Sequence, residues 1–139
     1  MRGAFKNLSD SGEHMPDSQN GQQPHNILFS TLAGLCGALA IAAYAGSAHG
    51  DGGQLGTIAP LLLGHAPALL VLSLIMPASR TAQISGTILV AGLILFCGNL
   101  FLRDMTGDRL FPYAAPIGGT LMMLGWLITG LSGWTSRKR

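Results

Sequence analysis

Two histidines are the residues of this sequence best suited to chemistry, because both fall in long uncharged segments. His49 lies at the end of the first such segment, and His65 lies about eight residues into the second. Ionisable side chains inside a bilayer are costly and are therefore candidate functional groups by default. Both histidines are candidates for a ligand or proton site.

Polar or irregular residues occupy comparable positions in the next two uncharged segments. Asn99 lies near the end of the third segment, and the fourth begins with the helix-breaking residues Pro116, Gly118 and Gly119. Irregular backbone at membrane depth is tolerated only where it is buried in protein or lines a cavity. The sequence thus offers a candidate polar pocket made of these four residues with His49 and His65. The simpler interpretation, which we favour, is that His65 and Asn99 bond to neighbouring helices and that the glycines permit close packing.

Four hydrophobic segments must position these residues. Charged residues make up 10% of the chain, whereas soluble domains carry about 25%. Between Asp17 and Arg137 the only charges are Asp51, Arg80 and a cluster at 103–109. About 20 apolar residues are needed to cross the hydrocarbon core as a helix. The sequence predicts an all-α membrane protein, a four-transmembrane-helix bundle with spans at about 27–49, 57–76, 82–102 and 113–134.

The two ends of the chain differ from this helical domain in composition. Residues 1–26 are rich in Ser, Asp, Asn, Gln and Gly, and such a segment cannot bury enough apolar surface to offset the entropy of ordering. We predict a disordered polar N-terminal tail over 1–26, a transmembrane domain over 27–136 and a basic C-terminus over 137–139.

A signal peptide is the alternative interpretation of the first span. Residues 43–45 (AYA) have the form of a cleavage site. The leader before the apolar run is long and contains acidic residues, whereas a typical signal peptide begins with a short basic region. An uncleaved first helix is therefore favoured.

Small residues recur at every fourth position of the first span, at Gly34, Ala38, Ala42 and Gly46. Apolar side chains gain nothing by leaving lipid tails, so membrane helices pack through small residues that let their backbones approach. We predict that this ridge is a helix-packing surface. A ligand groove is the alternative.

The distribution of basic residues predicts the orientation of the chain. With four spans, both termini share one side with Arg80 and the basic residues 137–139, while Arg103 and Arg109 lie on the other side. Lys and Arg are in excess on the cytoplasmic side of membrane proteins. We therefore predict a multi-pass protein of the cell membrane with both termini in the cytoplasm.

Several kinds of chemistry are disfavoured. Cys36 and Cys97 are embedded in apolar segments without a CxxC motif, so no metal or redox site is predicted. Haem ligation by His49 and His65 is disfavoured because they are expected at different depths. Catalysis by Ser or Cys lacks a carboxylate partner within the spans, and the scattered basic residues do not form a nucleic-acid surface. We expect no enzymatic activity, no cofactor, no metal and no nucleic-acid partner.

Short strings in all four spans resemble the Domain of Unknown Function 423 family, bacterial relatives of the mitochondrial transmembrane protein 256. The resemblance extends from about residue 34 to 133 and is carried by 44–49 (YAGSAH), 65–66 (HA), 95–100 (LFCGNL), 116–119 (PIGG) and 125–126 (GW). The sequence departs from the family at 61–62, where Leu-Leu stands in place of the usual Tyr-Gln pair. The first-span string is also a looser version of the family's Gly-Ala-Phe-Gly-Ala-His run.

The resemblance implies a four-helix protein of the bacterial inner membrane and brings no established activity. We expect a small integral membrane protein that acts as a non-enzymatic accessory or packing subunit. Its surroundings would be the lipid bilayer and either a membrane-protein partner or further copies of itself. The alternative is a small transporter or channel-like protein that uses the polar pocket.

Overall fold

The chain forms four long helices in the computed structural model, which describes residues 25–50 and 53–135. They are α1 (Ile27–His49), α2 (Leu55–Ile75), α3 (Arg80–Thr106) and α4 (Ala114–Thr135), with a short 3-10 turn at Met76–Ala78 after α2. All four are long and apolar enough to cross a membrane. The predicted all-α fold with four transmembrane helices is therefore confirmed. The tail predicted over 1–26 lies outside the described residues except for its last two, as does the basic C-terminus at 137–139.

Helix α3 is longer than the span expected from hydropathy, because it continues through charged residues to Thr106. Its end is set by Gly107, whose φ of 79° lies in the left-handed region that favours glycine. The Gly107 N–H donates to the Arg103 carbonyl at 2.9 Å. The last turn of α3 therefore carries Arg103 and Asp104 beyond the apolar segment.

Backbone and side-chain hydrogen bonds hold the turn between α2 and α3 and the start of α1. The Asn26 N–H donates to the Ser73 carbonyl at 2.9 Å, which ties the beginning of α1 to the end of α2. Ser79 caps the first turn of α3. Gln83 Nε2 donates to the Met76 carbonyl at 2.9 Å, so α3 also supports the end of α2. Backbone groups freed at the helix ends are thereby satisfied within the chain.

The helices pack as two hairpins. Helix α1 packs along α2 and α3 packs along α4, while a smaller contact between α2 and α3 joins the two pairs. The core consists of two apolar clusters. One includes Ala40, Ile58, Ala59 and Leu93, and the other is built from Phe29, Ala33, Leu69, Leu72, Met76, Ala82 and Leu89.

Glycines bring the backbones of α3 and α4 into contact. A Cβ added at Gly92 would lie 2.8 Å from the Gly118 carbonyl oxygen, and one added at Gly118 would lie 2.7 Å from the Phe96 nitrogen. A Cβ at Gly125 would lie 2.6 Å from a side-chain carbon of Leu89. No residue larger than glycine fits at this crossing without moving a helix, which is the geometry by which membrane helices associate closely.

We predict that Gly92→Leu lowers the thermal unfolding midpoint of the detergent-solubilised protein strongly. Overpacking a tight contact costs about 1–3 kcal/mol, and more where the obstructing atoms belong to the backbone. Gly64→Leu is the matched control, because a Cβ at Gly64 would meet nothing within 4 Å. Equal shifts in the two variants would contradict the close α3–α4 crossing.

Candidate functional site

Residues 53–54 and 107–113 lie at the same end of the bundle, which we call the two-loop end. Asp104 in the last turn of α3 accepts a hydrogen bond from the Gln54 N–H at 3.0 Å through Oδ1. Its carboxylate lies so close to Gly53 that a Cβ there would collide with it. A carboxylate at a helix start satisfies a free N–H and opposes the positive end of the helix dipole. Asp104 therefore joins the start of α2 to the end of α3.

His65 links α2 to α4 and is only 6% exposed. Its Nδ1 lies 2.7 Å from the Leu61 carbonyl oxygen, and the Trp126 Nε1–H donates to its Nε2 at 3.1 Å. The two rings meet edge to face, with centroids 5.7 Å apart and planes inclined by 61°. Because the indole nitrogen is a donor only, Nε2 must be an acceptor, which assigns the neutral ring with its proton on Nδ1. Both ring nitrogens of His65 thus have partners within the chain.

Asn99 holds the 107–113 loop against α3. It is 4% exposed, and its Oδ1 accepts from the Leu110 N–H at 3.0 Å. Asn99 and Pro116 both line a cavity of about 500 Å³ between α3, the loop and the start of α4. Two arginines, Arg103 and Arg109, line the same cavity. The sequence analysis placed these arginines on the side opposite the termini and did not connect them with Asn99.

The other predicted pocket residues lie elsewhere. His49 is exposed at the end of α1, and the cavity that holds Asn99 is not lined by either histidine. Gly118 lies in the α3–α4 crossing, and a Cβ at Gly119 would make an ordinary contact of 3.8 Å with the Phe96 ring. The structure therefore brings Asn99 and Pro116 together and distributes His49, His65, Gly118 and Gly119 over other positions.

The ridge of small residues on α1 is exposed rather than buried in the core of the bundle. Gly34, Ala38, Ala42 and Gly46 are all exposed. Helix α1 instead buries Phe29, Ala33, Ala40 and Ala43. A Cβ at Gly34 would meet nothing within 4 Å, whereas one at Gly46 would lie 2.9 Å from a methyl group of Leu55. Apart from Gly46, the ridge has no packing role within the described chain.

An apolar groove of about 590 Å³ runs between α1 and α3, with α2 contributing to its wall. Ala42 of the ridge lines this groove, as do both cysteines, Cys36 and Cys97. Its other lining residues are aliphatic or aromatic, among them Leu39, Leu62, Ile94 and Phe101. Sequence reasoning missed the groove, because apolar residues on a lipid-facing side and apolar residues in a groove give the same pattern.

The fold and these contacts define the protein as a small four-helix integral membrane protein in which His65, Asn99 and Asp104 connect different helices and loops. Within residues 25–50 and 53–135, no group of three His, Cys, Asp or Glu residues is placed to hold a metal ion. The chain belongs to the protein family of unknown function DUF423, whose model matches residues 40–119. The match runs from the second half of α1 to the first turns of α4 and confirms the resemblance seen in the sequence.

Individual relatives carry the same description. The chain is 30% identical to a UPF0382 membrane protein of Staphylococcus epidermidis over 73% of this chain and 90% of the relative. It is 28% identical to a UPF0382 membrane protein of Staphylococcus haemolyticus, covering 76% and 93% of the two chains. A UPF0382 membrane protein of Haemophilus influenzae is 27% identical over 79% and 96%. No solved structure matches the chain.

We predict that His65 and Trp126 are energetically coupled. In a double-mutant cycle, Trp126→Phe leaves the buried His65 ring without its donor, and His65→Leu leaves the Trp126 indole without its acceptor. The double variant should therefore be more stable than the sum of the two effects implies, by about 1 kcal/mol. Thermal or denaturant unfolding in detergent gives the stability of the wild type, the two single variants and the double variant. Strict additivity would show that the hydrogen bond contributes nothing.

Proposed function

We propose that this protein is a non-enzymatic packing subunit of the membrane, which associates with a second copy of itself through α1. The observation that supports this proposal is the exposed small-residue ridge on α1, which lies beside an open apolar groove. Gly34 and Ala38 stand on the lipid-facing side of α1, where a larger side chain would contact lipid equally well. Glycine lowers helix stability by about 1 kcal/mol relative to alanine, so an exposed glycine ridge favours a helix that approaches from outside the chain.

A second copy is the occupant that this surface suits best. An isologous contact requires one self-complementary surface, and a ridge of small residues can cross an identical ridge without a separately shaped partner. The ridge also carries no charged or hydrogen-bonding side chain that would select a different protein. Because Ala42 belongs to both the ridge and the groove wall, a helix on the ridge would also cover the rim of the groove.

The polar contacts support a structural role rather than a catalytic one. His65, the ionisable residue most deeply embedded in the spans, has a protein partner at each ring nitrogen. Asn99 and Asp104 use side-chain oxygens to fasten a loop and a helix start. These residues maintain the arrangement of the helices, as expected for a structural subunit that presents a packing surface to its partner.

We expect that Gly34→Leu weakens the self-association of the protein. A bulky side chain on the ridge would separate the two α1 backbones and raise the dimer dissociation constant at least about tenfold, equivalent to about 1.4 kcal/mol. Native mass spectrometry of protein in lipid nanodiscs would give the distribution of monomers and dimers. The control is Gly64→Leu, since Gly64 is likewise exposed in a helix with nothing within 4 Å of its Cβ position.

Two outcomes would contradict this proposal. A wild-type chain that is monomeric at all protein-to-lipid ratios would remove the second copy as the occupant. A Gly34→Leu variant that remains as dimeric as Gly64→Leu would show that the contact lies elsewhere on the molecule. If the chain is monomeric and a different membrane protein co-purifies with it in a fixed ratio, the second copy is replaced as the occupant by that protein.

We also propose that the protein lies in the bacterial inner membrane with both termini in the cytoplasm. Arg80 and the basic residues 137–139 support this orientation against Arg103 and Arg109 at the two-loop end. Alkaline phosphatase fused after residue 139 should be inactive, whereas the same enzyme inserted after Gly107 should be active. The reverse pattern would show that the two-loop end faces the cytoplasm.

A further inference from the structure

The cavity at the two-loop end collects positive charge. Arg103 reaches it from the last turn of α3, and Arg109 reaches it from the following loop. None of the described residues that line this cavity is acidic. Within the described part of the chain, neither guanidinium has an ion pair or a hydrogen bond, and the nearby Asp104 is engaged with the start of α2. Two arginines therefore line one space of about 500 Å³ without a counterion from the described residues.

Asn99 adds a hydrogen-bond donor to the same cavity. Its Oδ1 must point at the Leu110 N–H, because that contact requires an acceptor. Its Nδ2 consequently turns the other way, and it has no hydrogen-bond partner among the described residues. The side chain as a whole is 96% buried, being 4% exposed. No fully enclosed side-chain nitrogen or oxygen among the described residues lacks a hydrogen bond, so this Nδ2 is accessible and can donate to a ligand in the cavity.

The start of α4 and the residue before it complete the cavity wall. Helix α4 begins at Ala114, and Ala114 and Ala115 both line the cavity. The positive end of a helix dipole favours an anion at this position. Tyr113 has a φ of 72°, a left-handed conformation that is unfavourable for a non-glycine residue. The loop therefore reaches α4 through a strained residue that also lines the cavity.

We propose that this cavity binds the phosphate group of an anionic membrane phospholipid. A guanidinium can donate two parallel hydrogen bonds to phosphate oxygens, and its charge complements theirs. The Arg103 and Arg109 guanidinium groups and the Asn99 amide supply donors from α3 and the loop. The bond from Leu110 to Asn99 fixes the backbone of the loop immediately after Arg109.

The surroundings of the cavity favour a lipid as the source of the phosphate. Tyr113 is 74% exposed, and Leu110 and Phe111 beside it are also exposed. The cavity lies where two membrane-length helices end, the level at which lipid phosphates are found and at which aromatic side chains are enriched. A bound lipid can place its phosphate among the arginines and its acyl chains against these apolar side chains. Free phosphate would use only the first of these contacts.

The test is a titration of the full-length protein in a neutral detergent. Short-chain phosphatidylglycerol should raise the unfolding midpoint, and native mass spectrometry should show one tightly bound lipid per chain. Phosphatidylcholine with the same acyl chains should bind at least about tenfold more weakly, because it lacks the net negative charge. Sodium phosphate at the same concentration, with ionic strength held constant, should produce no shift.

Substitutions locate the site. Arg103→Gln with Arg109→Gln should raise the apparent dissociation constant for phosphatidylglycerol at least about tenfold, while Arg80→Gln at the other end of α3 should leave it unchanged. Arg103→Lys keeps the charge and loses the paired donors, so it should have an intermediate effect. If the double variant does not fold, Arg103→Lys and each single Gln variant provide the same comparison.

Three results would overturn the proposal. Equal binding of phosphatidylcholine and phosphatidylglycerol would show that the acyl chains alone are recognised. An equal stabilisation by sodium phosphate would assign the cavity to a free anion. Equal weakening by Arg80→Gln and by the variants at positions 103 and 109 would reduce the effect to general surface charge. None of these results depends on whether the chain forms a dimer through α1.

Discussion

The hydrocarbon layer provides no water, so a polar group inside it must find its partner within the protein. Among the described residues, no fully buried side-chain nitrogen or oxygen lacks a hydrogen bond. Hydroxyl groups such as those of Ser73 and Ser85 donate to carbonyls within their own helices. His65 instead reaches across to Trp126 and thereby joins α2 to α4. The need to satisfy polar groups thus helps to determine which helices are joined. The bond between His65 and Trp126 is one of the few specific links between the two hairpins.

Close packing imposes a second demand, because apolar burial alone does not hold helices together in lipid. Helices α3 and α4 meet it with Gly92 and Gly118, which bring backbone against backbone. Helix α1 uses alanines towards α2 and leaves its glycine ridge outside. The molecule therefore has one small-residue surface that packs against another helix and one that is left exposed. This difference is the main structural support for the proposed self-association through α1.

The fold was predictable from the sequence because the length of an apolar segment and the position of its charges are one-dimensional properties. The direction in which each helix faces was not, since these helices are apolar on nearly all sides and neighbouring residues differ by about 100° around the axis. The predicted ridge at Gly34 consequently lies one residue away from the Ala33 surface that α1 buries. The sequence also predicted that Asn99 and Pro116 lie at a similar depth along the bundle, and the two residues do share a cavity. His65 faces a different helix, and only the tertiary arrangement shows its bond to Trp126 or the bond from Gln54 to Asp104.

The hydrogen bond between His65 and Trp126 spans 61 positions of the chain, which has a consequence for biosynthesis. At about 5–20 residues per second, a ribosome adds the tryptophan roughly 3–12 s after the histidine. During that interval the first hairpin presents an imidazole nitrogen whose final partner has not been made. A chain interrupted before α4 keeps that exposed acceptor, together with the uncovered glycines of α3. Insertion of α4 is therefore the step that completes the hydrogen bonding of the His65 ring.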